Sequence, residues 1–135
     1  MFGTRTLRPR AITLRPFLLV ALGGAVGAVL RYGVGLAALR VAGPGVPWGT
    51  WAANALGCLL IGLALPLARG DDVRLALLVG VLGSFTTFST YSADTLLLWE
   101  AGRRGLAVAN AAGSVAVGLA FVAVGLAVGR SLAAG

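Results

Sequence analysis

Four long apolar stretches, with most of the arginines gathered in the short loops between them and in the N-terminal tail, constrain this sequence more than any motif in it. Charge collects at Arg5, Arg8, Arg10 and Arg15, between Arg69 and Arg74, and between Glu100 and Arg104. The intervening segments, about 17–39, 49–68, 75–99 and 106–129, each suffice to cross a hydrocarbon core of roughly 30 Å as helix. With 59% hydrophobic and 11% charged residues and a mean hydropathy of +0.95, a soluble domain of this size is excluded. The expectation is an all-α membrane protein. It has one transmembrane domain over residues 1–135, four spans and an Arg-rich tail over 1–16. The connections "VAGPGVPW", "ARGDDVR" and "EAGRRG" are too short for a soluble domain and make neighbouring spans antiparallel. Function therefore lies within the membrane.

The net charge of +7 reads as cytoplasmic flanks rather than a nucleic-acid surface. An even number of spans puts Arg5, Arg8, Arg10, Arg15, Arg69, Arg74 and Arg130 on one side and Arg40, Arg103 and Arg104 on the other. That favours an N-in orientation. Without the tail each side keeps three arginines, the balance expected of a chain able to insert both ways. The start imitates a secretory signal, but the apolar stretch runs on to Leu39, past an h-region of about 7 to 15 residues. An uncleaved first span is expected, with Pro16 in its first turn. Cys58 is the single cysteine, read as a small buried apolar residue, and the lack of histidine excludes a Cys/His metal site.

Small residues spaced by four, Gly23 with Gly27, Gly24 with Ala28 and Gly125 with Gly129, read as close helix packing. The "GGAVGA" run lacks the spacing and preceding strand of a dinucleotide fingerprint. The third span is different. "GSFTTFSTYSAD" sets Ser84, Thr86, Thr87, Ser89, Thr90, Tyr91 and Ser92 in one block before Asp94. One hydroxyl can bond its own helix, but a block of them beginning at Gly83 predicts an interrupted span. The expected halves are 75–83 and about 87–99, meeting near mid-membrane. Such a break frees carbonyls that suit a hard cation and amides that suit an anion. The residues do not choose between the two.

Asn54 and Thr50 share a face of the second span, and Asn110 and Ser114 a face of the fourth. They are mostly uncharged donors. Arg31, the cation well inside a span, is expected to snorkel or to pair with Asp94 or Glu100. Phe85, Phe88 and Tyr91 recur every third residue as an aromatic stripe, whose ring edges can face an anion.

The motifs "GGAVGAVLRYGVG", "GTWAANALGCLLIG", "GVLGSFTTFSTYS" and "NAAGSVAVGL" in this order resemble the small bacterial fluoride channels called Fluc or CrcB, over nearly all of the chain after its first dozen residues. The resemblance implies an antiparallel dual-topology homodimer with two fluoride pathways, in the inner or plasma membrane. It also implies a structural, untransported Na⁺ held by backbone carbonyls of Gly83 and Thr86. On the same basis the pathway comprises Asn54, Phe88, Tyr91, Thr50, Ser89, Thr90, Ser114 and Asn110, with Arg31 and Asp94 in electrostatic or structural roles. This chain departs from the pattern in four places. Tyr91 stands for a phenylalanine, Ser84 for a glycine and Asp94 for a glutamate. Asn110 stands for a tyrosine and keeps a donor there.

No nucleophile, acid–base pair or nucleotide site is present, so no enzymatic activity is expected. Passive fluoride export driven by the membrane potential is the function implied. Two other classes fit four spans. A proton-coupled small multidrug exporter needs an embedded carboxylate, for which Asp94 is the sole candidate. A non-transporting scaffold explains the glycines and leaves the polar block unexplained. If the tail fixes one orientation, the working dimer would instead pair this chain with an oppositely oriented paralogue.

Overall fold

The computed structural model describes residues 13–135; Arg5, Arg8 and Arg10, which carry the orientation bias, lie outside the described residues. Helix α1 (Leu14–Ala42) tolerates Pro16 because the first turn needs no intrahelical N–H. It stops at Gly43, whose N–H still bonds the Leu39 carbonyl at 3.0 Å and whose φ of 73° turns the following chain out of the helix. Helix α2 (Trp48–Leu67) follows Pro47. The third span comprises α3 (71–85) and α4 (Phe88–Glu100), and helix α5 (Arg104–Ala134) closes the chain. All four spans are long and apolar enough to cross a membrane. They extend beyond the apolar windows at most ends, because helical hydrogen bonding continues where hydrocarbon gives way to the polar interface.

The third span breaks where Thr86 and Thr87 take extended backbone, at φ/ψ −87/157° and −148/117°. The break falls midway along Asp71–Glu100, one to two residues later than the expected halves place it, since Gly83–Phe85 is still helical and the second half begins at Phe88. Two stretches wind as π-helix, Arg74–Leu82 in α3 and Ala109–Gly113 in α5. Neither is legible in the sequence, because runs of small apolar residues look alike at either pitch.

Packing is led by glycine. α5 lies along α2, and a Cβ on Gly125 would run into the Leu59 carbonyl. α1 lies along the π-wound part of α3, and a Cβ on Gly27 would overlap the Val81 carbonyl. The Gly23/Gly27 and Gly125/Gly129 pairs thus sit on interhelical seams as expected. Little else is interior: no more than 17% of any span's apolar window is buried. An apolar exterior of this extent suits lipid and further protein, not water. At the ends of α1 and α3 the exposed Arg15 and Asp72 form an ion pair.

Candidate functional site

The break gathers the polar residues. At its centre the Asn54 amide donates to the Thr87 carbonyl at 3.0 Å, while its oxygen accepts from the Thr87 N–H at 2.7 Å. A side-chain amide has one donor face and one acceptor face, so it replaces both backbone partners an extended residue loses. One turn earlier on α2, the Thr50 hydroxyl donates to Asp94 Oδ2 at 2.7 Å. α2 thus holds both the break and α4 through two residues on one face.

Thr87 also caps α4, its hydroxyl accepting from the Thr90 N–H at 3.2 Å and donating to the Thr90 hydroxyl at 3.0 Å. Ser89 Oγ lies 3.2 Å from Thr87 Oγ1, making a hydroxyl cluster at the break. The two diversions matter for the carbonyls behind them. In an unbroken helix the Thr87 N–H would bond Gly83 and the Thr90 N–H would bond Thr86. Here they turn to Asn54 and to the Thr87 side chain. The carbonyls of Gly83 and Thr86 therefore lose their helical donors, and they are the two oxygens the resemblance assigns to a cation. Thr86's own hydroxyl bonds back to Leu82 at 3.1 Å.

Two hollows of about 400 Å³ meet at the break. The first lies under the α1–α2 loop, and its polar lining residues are Arg31, Thr50, Thr87, Thr90 and Asp94. Arg31 shares it with Asp94 without an ion pair among the described residues, and its buried Nε has no hydrogen-bond partner there. The expected pairing with Asp94 or Glu100 is thus corrected: Asp94 is bonded by Thr50 instead, and Glu100 is exposed at the end of α4. The second hollow is a mostly apolar groove whose walls include Asn54, Cys58, Thr86, Thr87, Phe88, Tyr91 and Ser114. Thr87 borders both.

The aromatic stripe is divided. Phe85 is buried at 6% exposure, close to where a Gly57 Cβ would stand, whereas Phe88 is 78% exposed. Two extended residues between them destroy the helical register that a spacing of three assumes. Phe88 and Tyr91, both on α4, remain paired with centroids 5.3 Å apart at 39°.

Asn110 is fully buried. Its amide donates to the Tyr91 carbonyl at 3.2 Å and to Thr95 Oγ1 at 2.7 Å, and its oxygen accepts from Trp51 Nε1 and from Ser114 at 3.4 Å. It therefore joins α2, α4 and α5, and stands behind the groove. Sequence reading passed over three contributors: Thr87 as cap and clamp point, Trp51, and Thr95. Thr87 carried a signal, a hydroxyl residue immediately before a new helix; Trp51 and Thr95 carried none.

The family model for "CrcB-like protein, Camphor Resistance (CrcB)" matches residues 18–126. Among curated relatives, the "Fluoride-specific ion channel FluC" of Rhizobium etli (strain CIAT 652) is 52% identical over 123 residues, covering 85% of this chain and 96% of the relative. The protein of that name from Agrobacterium fabrum is 48% identical over 119 residues, covering 84% and 95%. The one from Thermus thermophilus is 48% identical over 120 residues, covering 86% and 96%. A broken third span clamped by Asn54, four apolar helices and matches along most of its length agree: this chain belongs to the CrcB family.

Proposed function

We propose that the chain is a fluoride channel that lets the ion leave the cell passively down the membrane potential, and is not an enzyme. The observation that carries this reading is the break at Thr86–Thr87, held by Asn54 beside a groove lined by Phe88, Tyr91 and Ser114. Relatives over most of the chain's length bear the name of fluoride-specific channels. Fluoride is strongly hydrated, so a path must replace its water with donors. Hydroxyls and aromatic edges do so without the deep trap that a fixed cation would set. Ser89 and Thr90 supply hydroxyls at the break, Thr50 and Ser114 flank it, and Arg31 puts positive charge in the hollow under the α1–α2 loop.

The working unit is an antiparallel dimer in the cell membrane, of two copies or of this chain with an oppositely oriented paralogue. Supporting this, Phe88, Ser89 and Thr90 are exposed on the single chain, and polar groups around broken backbone do not persist against lipid. The carbonyls of Gly83 and Thr86 are hard oxygen donors freed together, and they fit a Na⁺. In a dimer each chain would contribute its pair, and the ion would supply a fixed positive charge to hold two breaks together. Against proton-coupled export, Asp94 is the only acidic residue well inside a span and is already bonded by Thr50.

The test is efflux from liposomes holding the purified chain, read with a fluoride electrode and a chloride control. Fluoride release without chloride release, lost in Phe88→Ile, is expected. No fluoride release from folded dimer would overturn the reading. Accessibility of tags at both termini in cells tests topology, with both orientations expected for a homodimer.

A further inference from the structure

The end of the bundle formed by the α4–α5 turn carries Arg103 and Arg104 side by side, both exposed. Arg103 Nη1 donates to the Gly45 carbonyl of the α1–α2 loop, and the Arg104 guanidinium stands 5.3 Å from the centre of the Trp99 ring. Each contact orients a guanidinium and leaves its charge unneutralised. Among the described residues the ion pair is that of Arg15 with Asp72, at the opposite end of the bundle, where Arg74 also turns onto the Leu65 and Ala68 carbonyls. Glu100 is exposed one turn before Arg104 and pairs with neither arginine. Gly102 and Gly105, on either side of the two, have open space where a side chain would stand. Beside Arg103 a cleft of about 350 Å³ runs between the α1–α2 loop and the end of α4, walled by Val46, Pro47, Leu97, Leu98 and Ala101. Asp94 lies deeper along α4 in the same cleft and is already bonded by Thr50, so the positive end is the outer one.

We infer that this cleft and the two arginines bind an anionic glycerophospholipid, its phosphate on Arg103 and Arg104 and the upper part of its acyl chains against Leu97 and Val46. Trp99, 50% exposed, marks the level of the headgroups, because an amphipathic ring settles where hydrocarbon meets water. A guanidinium held at that level meets phosphate through charge-assisted bonds that an exposed carbonyl or ring face does not replace. Basic pockets between spans are suited to acidic headgroups for this reason. A free phosphate would engage the arginines alone and leave the apolar walls of the cleft uncovered, which favours the lipid. The inference goes beyond ion conduction and needs only that the spans cross a membrane.

The experiment adds phosphatidylglycerol or phosphatidylcholine to the purified full chain in detergent and measures the lipid retained by native mass spectrometry. Preferential retention of phosphatidylglycerol is expected. The preference should fall about fivefold in Arg104→Gln, the worth of one arginine at a charged membrane surface, and further when Arg103→Gln is added. Arg130→Gln, at the opposite end, should behave as wild type. Arg104 is exposed and its described contact is the Trp99 ring, so Arg104→Gln judges the site even if loss of the Gly45 contact unfolds the double variant. Equal retention of the two lipids by wild type would overturn the inference. So would an equal fall in Arg130→Gln, which would show diffuse attraction to the whole chain. Displacement of the lipid by glycerophosphate at equal concentration would reassign the site to a free phosphate ester. Retention lost together with the dimer would mean that the arginines meet a second chain, and would also overturn it.

Discussion

Asn54 meets Thr87 through both of that residue's backbone groups, at 3.0 Å from amide to carbonyl and 2.7 Å from N–H to side-chain oxygen. A residue on α2 thereby completes the hydrogen bonding of a break that is 33 positions away in the chain. Because the bond to Thr87 N–H removes Gly83's helical donor, the same contact opens a candidate cation ligand.

Replacing Asn54 with Leu leaves a donor and an acceptor unpaired together. Each costs about 1–3 kcal/mol, so a loss of roughly 2–6 kcal/mol is expected, with fluoride efflux abolished. Asn54→Asp keeps the acceptor for Thr87 N–H and loses the donor to its carbonyl. It should melt between wild type and Asn54→Leu, also without efflux. Thermal unfolding in detergent and liposome efflux check both.

The α4 cap is tested at Thr87. Thr87→Val removes the oxygen that accepts from Thr90 N–H and should cost about 1 kcal/mol, while Thr87→Ser should remain close to wild type. Equal melting of the two variants would show that the cap contributes nothing.

Phe88 separates function from folding. It is 78% exposed on the single chain, so Phe88→Ile should leave the helical content of each chain unchanged while lowering fluoride efflux about tenfold or more, near the upper worth of an aromatic pair. Circular dichroism and efflux on one preparation provide the comparison.

The seam between α2 and α5 has no room for a side chain at Gly125, where a Cβ would meet the Leu59 carbonyl. Gly125→Val should destabilise by about 3 kcal/mol, at the upper end of overpacking costs, and reduce the yield of folded protein. Gly113, with open space around it, should accept Ala with little loss. Size-exclusion profiles of the two variants give the contrast.

Asp94→Asn keeps an oxygen able to accept from Thr50, whose hydroxyl now bonds Asp94 at 2.7 Å. Fluoride efflux should fall no more than about threefold, the range of a modestly weakened hydrogen bond. Complete loss, accompanied by proton-driven uptake of an organic cation, would support the exporter instead.

The four spans, the antiparallel order imposed by short loops and the interruption of the third span could all be read from residue types. Those features depend on local chemistry: apolar length sets a crossing, Pro and Gly set the turns, and a block of hydroxyls resists continuous helix. The location of the break at Thr86–Thr87, the inward turn of Phe85 and the π-wound stretches could not be read that way. Phe85 and the Arg74–Leu82 winding lie where the α1 and α3 backbones meet, at Gly27 against Val81, and the same apolar sequence is compatible with either helical pitch. Nor could the sequence assign partners to its polar residues. Asn54 and Asn110 announced that they needed hydrogen bonds. Only the packing of α2, α4 and α5 determined that Asn54 would complete the break and Asn110 would hold Tyr91, because a buried amide takes whichever donors and acceptors the fold brings within about 3 Å.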